Sequence, residues 1–183
     1  MRIAEQKLKE NIAEYILYMY QIEDVIRAYQ FDLDAIMESY VAPQLPDDSF
    51  KEQYREWYRQ LINEMKAQKI EKSGHLLRLK EILIELSYLH NTLLSMTQDQ
   101  KYQNVYERAT EYMDEFKEKS NMRESSHLEI AFHAMYMKLL LKMQKKEISS
   151  ETEEAFDAMR MFLAYLSRTY RKMKSGDLDF LNN

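Results

Sequence analysis

Residues 128–143 read LEIAFHAMYMKLLLKM, and this stretch decides the fold. Wound as an α-helix, its apolar side chains surround the whole circumference and do not form one stripe. A helix that is apolar on every side must be covered by other elements, so we expect it to lie at the centre of the molecule. The rest of the chain then has to supply the helices that cover it.

Turn-forming residues are scarce, with only 2 Gly and 2 Pro in 183 residues. Average usage predicts roughly 13 Gly and 9 Pro for this length. β-hairpins and phosphate-binding loops both depend on glycine at particular positions. We therefore expect an all-α fold: a single-domain, antiparallel bundle of about five long helices and one short helix over residues 1–183.

The few Gly and Pro residues, which interrupt helices, mark the connections between the helices of this bundle. We expect one long helix over residues 3–30 and then a short helix, capped by Asp32, that ends at Tyr40. Both prolines lie in 41–48, which we predict to be a rigid connector. Gly176 stands where a helix-ending glycine belongs, and residues 176–183 are predicted to form a short polar tail.

Helix starts are indicated by capping boxes, in which Ser or Thr is followed three residues later by Glu or Gln. Four of the predicted later starts coincide with such a pair, whereas the helix predicted from about His75 to Met96 begins after Ser73 and Gly74. The pairs are Ser49 with Glu52, Thr97 with Gln100, Ser126 with Glu129, and Ser150 with Glu153.

Charge and cysteine content exclude several function classes. The chain carries 26 Lys and Arg against 31 Asp and Glu, a net charge of -5, which argues against nucleic-acid binding and adhesion to anionic membranes. With no Cys, it has no disulfide, thiol nucleophile or zinc ribbon. We see no signal peptide, and the longest apolar run, 16–20, is far too short to span a membrane. We expect a cytoplasmic protein without a cofactor.

Glu23 is the most unusual charged residue, because it falls within the apolar stripe that contains Ile16, Met19 and Ile26. A carboxylate in that position must be paired, protonated or directed into a polar cavity. It could bind a ligand or transfer a proton. An interhelical pair with an Arg, a Tyr or a helix end is the interpretation we favour.

Two histidines also lie on apolar faces. His90 sits among leucines, and His133 follows Glu129 by one helical turn, a spacing at which a carboxylate can orient an imidazole. Hydrogen-bonded core histidines explain both positions, and we favour that interpretation. Taken together, Glu23, His90, Glu129 and His133 form our candidate pocket.

We expect no metal site and no catalytic residue. A di-iron bundle needs two Glu-x-x-His motifs, whereas this chain has one, from Glu124 to His127, and it falls across a predicted helix start. No motif for a serine nucleophile is present.

Residues 10–27, ENIAEYILYMYQIEDVIR, resemble the start of a family of uncharacterised helical proteins from Bacteroides-like bacteria. Residues 87–91, SYLHN, are similar to a second stretch of that family, and the resemblance covers most of the chain. It implies a bacterial, all-α, single-domain protein and carries no activity or site residue.

The composition is rich in Tyr and Met, with 14 and 13 residues. Both residue types are enriched at interfaces. Since no catalytic signature is present, we predict a non-catalytic protein-interaction or scaffold module that pairs with itself as a homodimer or with another protein. The alternative is a small-molecule-binding or enzymatic bundle built around the candidate pocket.

Overall fold

Eight α-helices make up most of residues 2–97, 99–120 and 122–177, which are the residues described by this computed structural model. No β-strand occurs in these ranges, so the predicted all-α class is confirmed. Of the predicted tail at 176–183, residues 178–183 lie outside the described ranges. The helices are α1 (Arg2–Glu10), α2 (Ile12–Ala28), α3 (Leu33–Ala35), α4 (Lys51–Ala67), α5 (Leu77–Ser95), α6 (Gln100–Lys119), α7 (His127–Met143) and α8 (Ser150–Ser175).

Six of the described helices, α2 and α4 to α8, contain 17 to 26 residues. The prediction was about five long helices. Within the described ranges, no helix combines the length and the apolar content needed to cross a membrane.

The long helix predicted over 3–30 is wrong at Asn11. That residue is extended, with φ −152° and ψ 101°, and its side chain accepts hydrogen bonds from the amides of Ala13 and Glu14. It is therefore the N-cap of a new helix, α2. The apolar period runs on across this break, so periodicity alone does not reveal it. Leu8, which the same apolar period would place on the inward face, is 45% exposed.

The start of α2 is also held by α8. The hydroxyl of Ser167 accepts a hydrogen bond of 3.3 Å from the Ala13 amide, and both residues are buried. The first amides of a helix have no partner within the helix itself. A residue close to the other end of the described chain therefore completes the first turn of α2.

The short helix after Asp32 differs from the predicted one. Asp32 caps α3 as expected, but α3 continues into a π-helical turn, Ile36–Val41, and then a 3-10 turn, Ala42–Gln44. Pro43 lies in the first turn of that 3-10 segment, where its missing amide costs no hydrogen bond. The first part of the predicted connector is thus helical.

Of the predicted capping boxes, only the one formed by Ser126 and Glu129 is present in full. The structure uses neighbouring residues at the other starts: Asp99 caps α6 and Ser149 caps α8. No side chain caps α4, which follows a 3-10 turn capped by Asp47. The predicted ending of α8 is confirmed, because Gly176 has the left-handed φ of 77°.

Helices α7 and α8 form the centre of the bundle, and each contacts the other as well as α2, α5 and α6. The expected central position of residues 128–143 holds for the first half, where Ile130, Ala131 and Phe132 are buried. In the second half, Met137 and Met143 are 37% and 58% exposed. The central helix therefore emerges at the surface.

Consecutive central helices run in opposite directions. Helix α7 has 17 residues and is about 25 Å long. The six residues 144–149 that join it to α8 begin with a hydrogen-bonded turn, from the Lys145 amide to the Lys142 carbonyl. So short a joint cannot carry the chain back along α7.

Candidate functional site

Glu23 of α2 is fully buried, with 0% of its surface exposed. One carboxylate oxygen, Oε1, accepts a hydrogen bond of 2.9 Å from the Leu76 amide, and Oε2 lies 2.6 Å from Nδ1 of His75. Because a carboxylate only accepts, Nδ1 carries a proton and donates it to Glu23, and Nε2 is the ring nitrogen that does not face Glu23. The partners are thus the start of α5 and a histidine just before it.

His75 is held in place by α2. Its ring stacks on Tyr20, with centroids 3.7 Å apart and an interplanar angle of 17°. Tyr20 and Glu23 lie one helical turn apart, so a single face of α2 contacts the flat side of the imidazole and one ring nitrogen. The histidine side chain is nevertheless 38% exposed. A buried carboxylate therefore orients an accessible imidazole.

The same face of α2 also fixes the loop that carries His75. Arg27 donates hydrogen bonds to the backbone carbonyls of Ile70 and Gly74 and forms an ion pair of 2.9 Å with Asp24. Gly74 has a φ of 90°, which side chains of L-residues rarely allow, and so it lets the loop turn immediately before His75. The position of the histidine is thus determined by hydrogen bonds to the backbone.

A cavity of about 520 Å³ opens beside His75, between α2, α5 and α7. We call it the polar cavity. Two of the candidate pocket residues, Glu129 and His133, line it, and Glu23 lies behind His75. The cavity is further lined by Tyr20, Asp24, Arg27, Lys72, Ser73, Gly74, Lys80, Leu83, Met122, Ser125 and Tyr136.

Glu129 and His133, the two candidate residues on α7, differ in whether hydrogen bonds within the protein already use their polar atoms. Glu129 uses its carboxylate for the helix cap, accepting hydrogen bonds of 2.8 Å from the amide and the hydroxyl of Ser126. The structure therefore gives Glu129 a capping role in place of the expected contact with His133. Burial lowers the pKa of His133, and a positive charge on the neighbouring His75 would lower it further, so the neutral form of the His133 ring is favoured.

His90 lies in a different part of the bundle, outside the lining of the polar cavity. Its Nδ1 is 2.6 Å from the Tyr102 hydroxyl, and its ring meets those of Tyr106 and Phe162 edge-on. Burial lowers the pKa of His90 to about 4. The structure thus brings together three of the four candidate residues and places the fourth in an aromatic cluster of α5, α6 and α8.

Two cations at the mouth of the polar cavity are available to a ligand. Lys72 and Lys80 are exposed and form no ion pair with a described residue, whereas Arg27 and Asp24 pair with each other. In the described part of the chain, no three His, Asp or Glu side chains are grouped so that they could hold a metal ion. What the cavity offers is positive charge and an imidazole whose orientation is fixed by Glu23.

A larger cavity of about 640 Å³ lies between α2, α7 and α8 and contains none of the candidate residues. Its charged side chains are mostly paired with each other or with neighbours. Lys7 pairs with Glu14, and Arg160 pairs with Asp157. This groove therefore offers a ligand less uncompensated charge than the polar cavity does.

Sequence reasoning missed His75, the most important residue of the site. It identified Glu23 from its place in an apolar stripe but treated His75 only as the start of a helix. One signal was available: Tyr20, Asp24 and Arg27 recur at helical spacing beside Glu23 and give α2 a second polar face. The partner of that face, 52 positions away along the chain, cannot be read from spacing.

Comparison with known proteins gives a family but no activity. Residues 1–177 match the family model described as Domain of unknown function (DUF4924). No curated protein and no solved structure matches the chain. The family match supports the resemblance of residues 10–27 and 87–91 to uncharacterised proteins. Because the model covers nearly the whole chain, this protein belongs to the DUF4924 family.

Proposed function

We propose that the chain binds a small carboxylate in the polar cavity and that Nε2 of His75 takes up a proton from solvent as the carboxylate binds. The observation that carries this proposal is the Glu23–His75 pair, in which a fully buried carboxylate directs an accessible imidazole. Water supplies the proton, and the protonated Nε2 then donates a hydrogen bond to the bound carboxylate. His75 is then an imidazolium between two carboxylates.

Glu23 makes this proton transfer favourable. A carboxylate that accepts the Nδ1 proton stabilises the imidazolium form of the ring, as in other carboxylate–histidine pairs. The hydrogen bond from Leu76 keeps Glu23 in position for this role. Without Glu23, the protonated ring would face the ligand alone and the bound acid would be held less tightly.

The charges around the cavity favour an anion over a cation. Lys72 and Lys80 stand at the mouth without an ion pair among the described residues, and the remaining charged side chains of the lining are engaged within the protein. A negatively charged ligand is therefore attracted to the polar cavity, although the net charge of the chain is -5.

Nuclear magnetic resonance of ¹⁵N-labelled histidine tests the proposal, with succinate as the probe. We expect succinate to shift the His75 Nε2 signal into the protonated range and to leave the His90 signals unchanged. His75→Gln should abolish binding, and Glu23→Gln should weaken it at least tenfold. Glu81→Gln, which removes the same charge from an exposed position on α5, is the matched control. Equal binding by wild type and His75→Gln would refute the proposal.

A second candidate function, pairing with another copy of the chain, is supported by one face of α5. Leu77, Ile84 and Tyr88 are 55%, 56% and 72% exposed. Their spacing of seven and four residues places them on the same side of the helix. In a two-fold interface, the same patch of each copy contacts the other copy. One apolar stripe is therefore enough to form both sides of the interface. Ile84→Lys should then shift the sedimentation coefficient from dimer to monomer, whereas Glu81→Gln should not.

The proposal also covers the domain organisation, the origin and the cellular compartment of the protein. We infer a single-domain, bacterial and cytoplasmic protein. The resemblance to proteins of Bacteroides-like bacteria supports the bacterial origin. A chain without Cys is compatible with a reducing compartment.

A further inference from the structure

His133 lines a second cavity in addition to the polar cavity. This second space, of about 460 Å³, lies between α6, α7 and α8, and we call it the apolar cavity. His133 is thus a wall that the two cavities share. Most of the remaining residues that line the apolar cavity are aromatic or aliphatic: Tyr112, Phe116, Met137, Ala155, Phe156 and Met159.

The apolar cavity offers little to a charged group. Its charged lining residues are Glu115, Lys119 and Glu151, and Lys119, the one cation among them, is already paired with Glu115. The imidazole of His133 is turned edge-on to Phe116, with ring centroids 6.0 Å apart. Because burial favours the neutral form of His133, an apolar group can lie against its ring without facing a charge.

One wall of the apolar cavity is also adaptable. Met137 is 37% exposed, and an unbranched thioether side chain adjusts to the shape of what lies against it. Water in a space lined by such side chains gains few hydrogen bonds, so replacing it with an apolar group is favourable. The apolar cavity is therefore suited to hold part of a ligand whose other part lies in the polar cavity.

We propose that the ligand is an amphipathic acid, with its carboxylate at His75 and an aromatic or short acyl group in the apolar cavity. This inference rests on the proposed function, since it uses His75 as the site of the carboxylate. The ligand runs along the imidazole of His133, which separates the two cavities. His133 is then a residue that selects for the apolar part of the ligand and takes no proton from it.

A comparison of three probes tests the inference: acetate, 4-phenylbutyrate and 4-phenylbutanol. We expect the chemical-shift titration of wild type to give an affinity for 4-phenylbutyrate at least tenfold higher than for acetate. The alcohol, which lacks the carboxylate, should bind at least tenfold more weakly than the acid. Equal affinities for acetate and 4-phenylbutyrate, or for the acid and the alcohol, would overturn the inference.

Filling the apolar cavity provides the second arm of the test. Ala155→Phe should reduce the affinity for 4-phenylbutyrate at least tenfold and leave acetate binding unchanged. Ala164→Phe is the matched control, because Ala164 is on the same helix and lines the separate cavity between α2, α7 and α8. If Ala155→Phe does not fold, Met137→Trp serves instead, since Met137 is partly exposed.

The two proposals fail in different ways. If acetate and 4-phenylbutyrate bind equally and His75→Gln loses both, the amphipathic ligand is wrong and the carboxylate site stands. If His75→Gln leaves the binding of both acids unchanged, the carboxylate site is wrong, whatever Ala155→Phe does. If 4-phenylbutyrate binds through His75 but Ala155→Phe and Met137→Trp leave its affinity unchanged, the apolar group lies elsewhere and the inference is overturned.

Discussion

The Tyr136 hydroxyl donates a hydrogen bond of 2.6 Å to Oδ2 of Asp24 and so joins α7 to α2 across the polar cavity. The other oxygen of the same carboxylate pairs with Arg27, which in turn holds the loop before His75. A side chain of the central helix is thus linked, through one carboxylate, to the loop that carries the imidazole.

Tyr136→Phe removes this link without changing the shape of the ring. We expect the free energy of unfolding to fall by about 1 kcal/mol, the usual net value of one hydrogen bond. Urea denaturation measures the change. The control is Tyr165→Phe, which removes a comparable bond of 2.7 Å to Asp99 far from His75. Both variants should lose similar stability, but only Tyr136→Phe should alter the His75 signals.

Glu23→Gln should reverse the tautomer of His75. A Gln carbonyl can still accept the Leu76 amide, but its NH₂ group can only donate to Nδ1, so the imidazole proton moves to Nε2. The ¹⁵N shifts of the ring report which nitrogen carries the proton. Glu23→Ala is a more disruptive change, because it leaves the Leu76 amide and Nδ1 of His75 without their acceptor. Urea denaturation should show a loss of about 2–4 kcal/mol in the free energy of unfolding. An unchanged tautomer in Glu23→Gln would contradict our assignment of Nδ1 as the donor.

Gly74→Ala tests the loop backbone. The added Cβ would meet only Ile70 Cγ2, at an ordinary 3.5 Å, so the cost is that of a positive φ, about 1–2 kcal/mol. Gly176→Ala is the matched control, since Gly176 has a φ of 77° and open space around it. Both variants should lose similar stability by calorimetry. Only Gly74→Ala should weaken succinate binding, and equal binding by the two would contradict a role of this loop in placing His75.

His90 should make the stability of the bundle depend on pH. Burial lowers its pKa from the ordinary 6.5 to about 4, so between these values the unfolded chain binds more protons than the folded one. The contribution of neutral His90 to the free energy of unfolding is therefore complete above pH 6.5 and is lost as the pH falls towards 4. Its size is on the order of 2 kcal/mol, allowing for partial exposure.

The variant His90→Phe isolates this effect. It keeps an aromatic ring beside Tyr106 and Phe162 but cannot be protonated. Urea denaturation between pH 7 and pH 4 should show a weaker loss of stability in the variant than in wild type. Other titrating groups contribute equally to both proteins, so the difference between the two slopes belongs to His90. Equal slopes would mean that the folded protein leaves the pKa of His90 unshifted.

The extent of the helices was largely predictable, but their exact starts were not. Ser, Thr, Asp and Asn are all favoured as N-cap residues, so the preference does not choose between them. In this chain two such residues often lie within two positions of each other, as Thr97 and Asp99 do, or Ser149 and Ser150. Which of them caps depends on the backbone conformation at the start. At Asn11, a capping residue occurs inside a continuous apolar stripe, and the stripe conceals the break.

The candidate site was predictable only where a residue is unusual on its own helix. Glu23 and His133 stand out because they interrupt apolar faces, and both lie at or behind the polar cavity. His90 interrupts an apolar face in the same way but packs in another part of the core, because helical period does not say which neighbour a face will meet. His75 lies in a loop, where no period exists to make it unusual.

The hydrogen bond between Ser167 and the Ala13 amide has a consequence for how the protein is made. On a ribosome, α2 is synthesised early, whereas the hydroxyl that completes its first turn belongs to the last helix of the described chain. The start of α2 therefore cannot reach its final environment until α8 has been translated. Nascent chains that stop before α8 should therefore lack this contact at the start of α2 and be recognised by chaperones as incomplete.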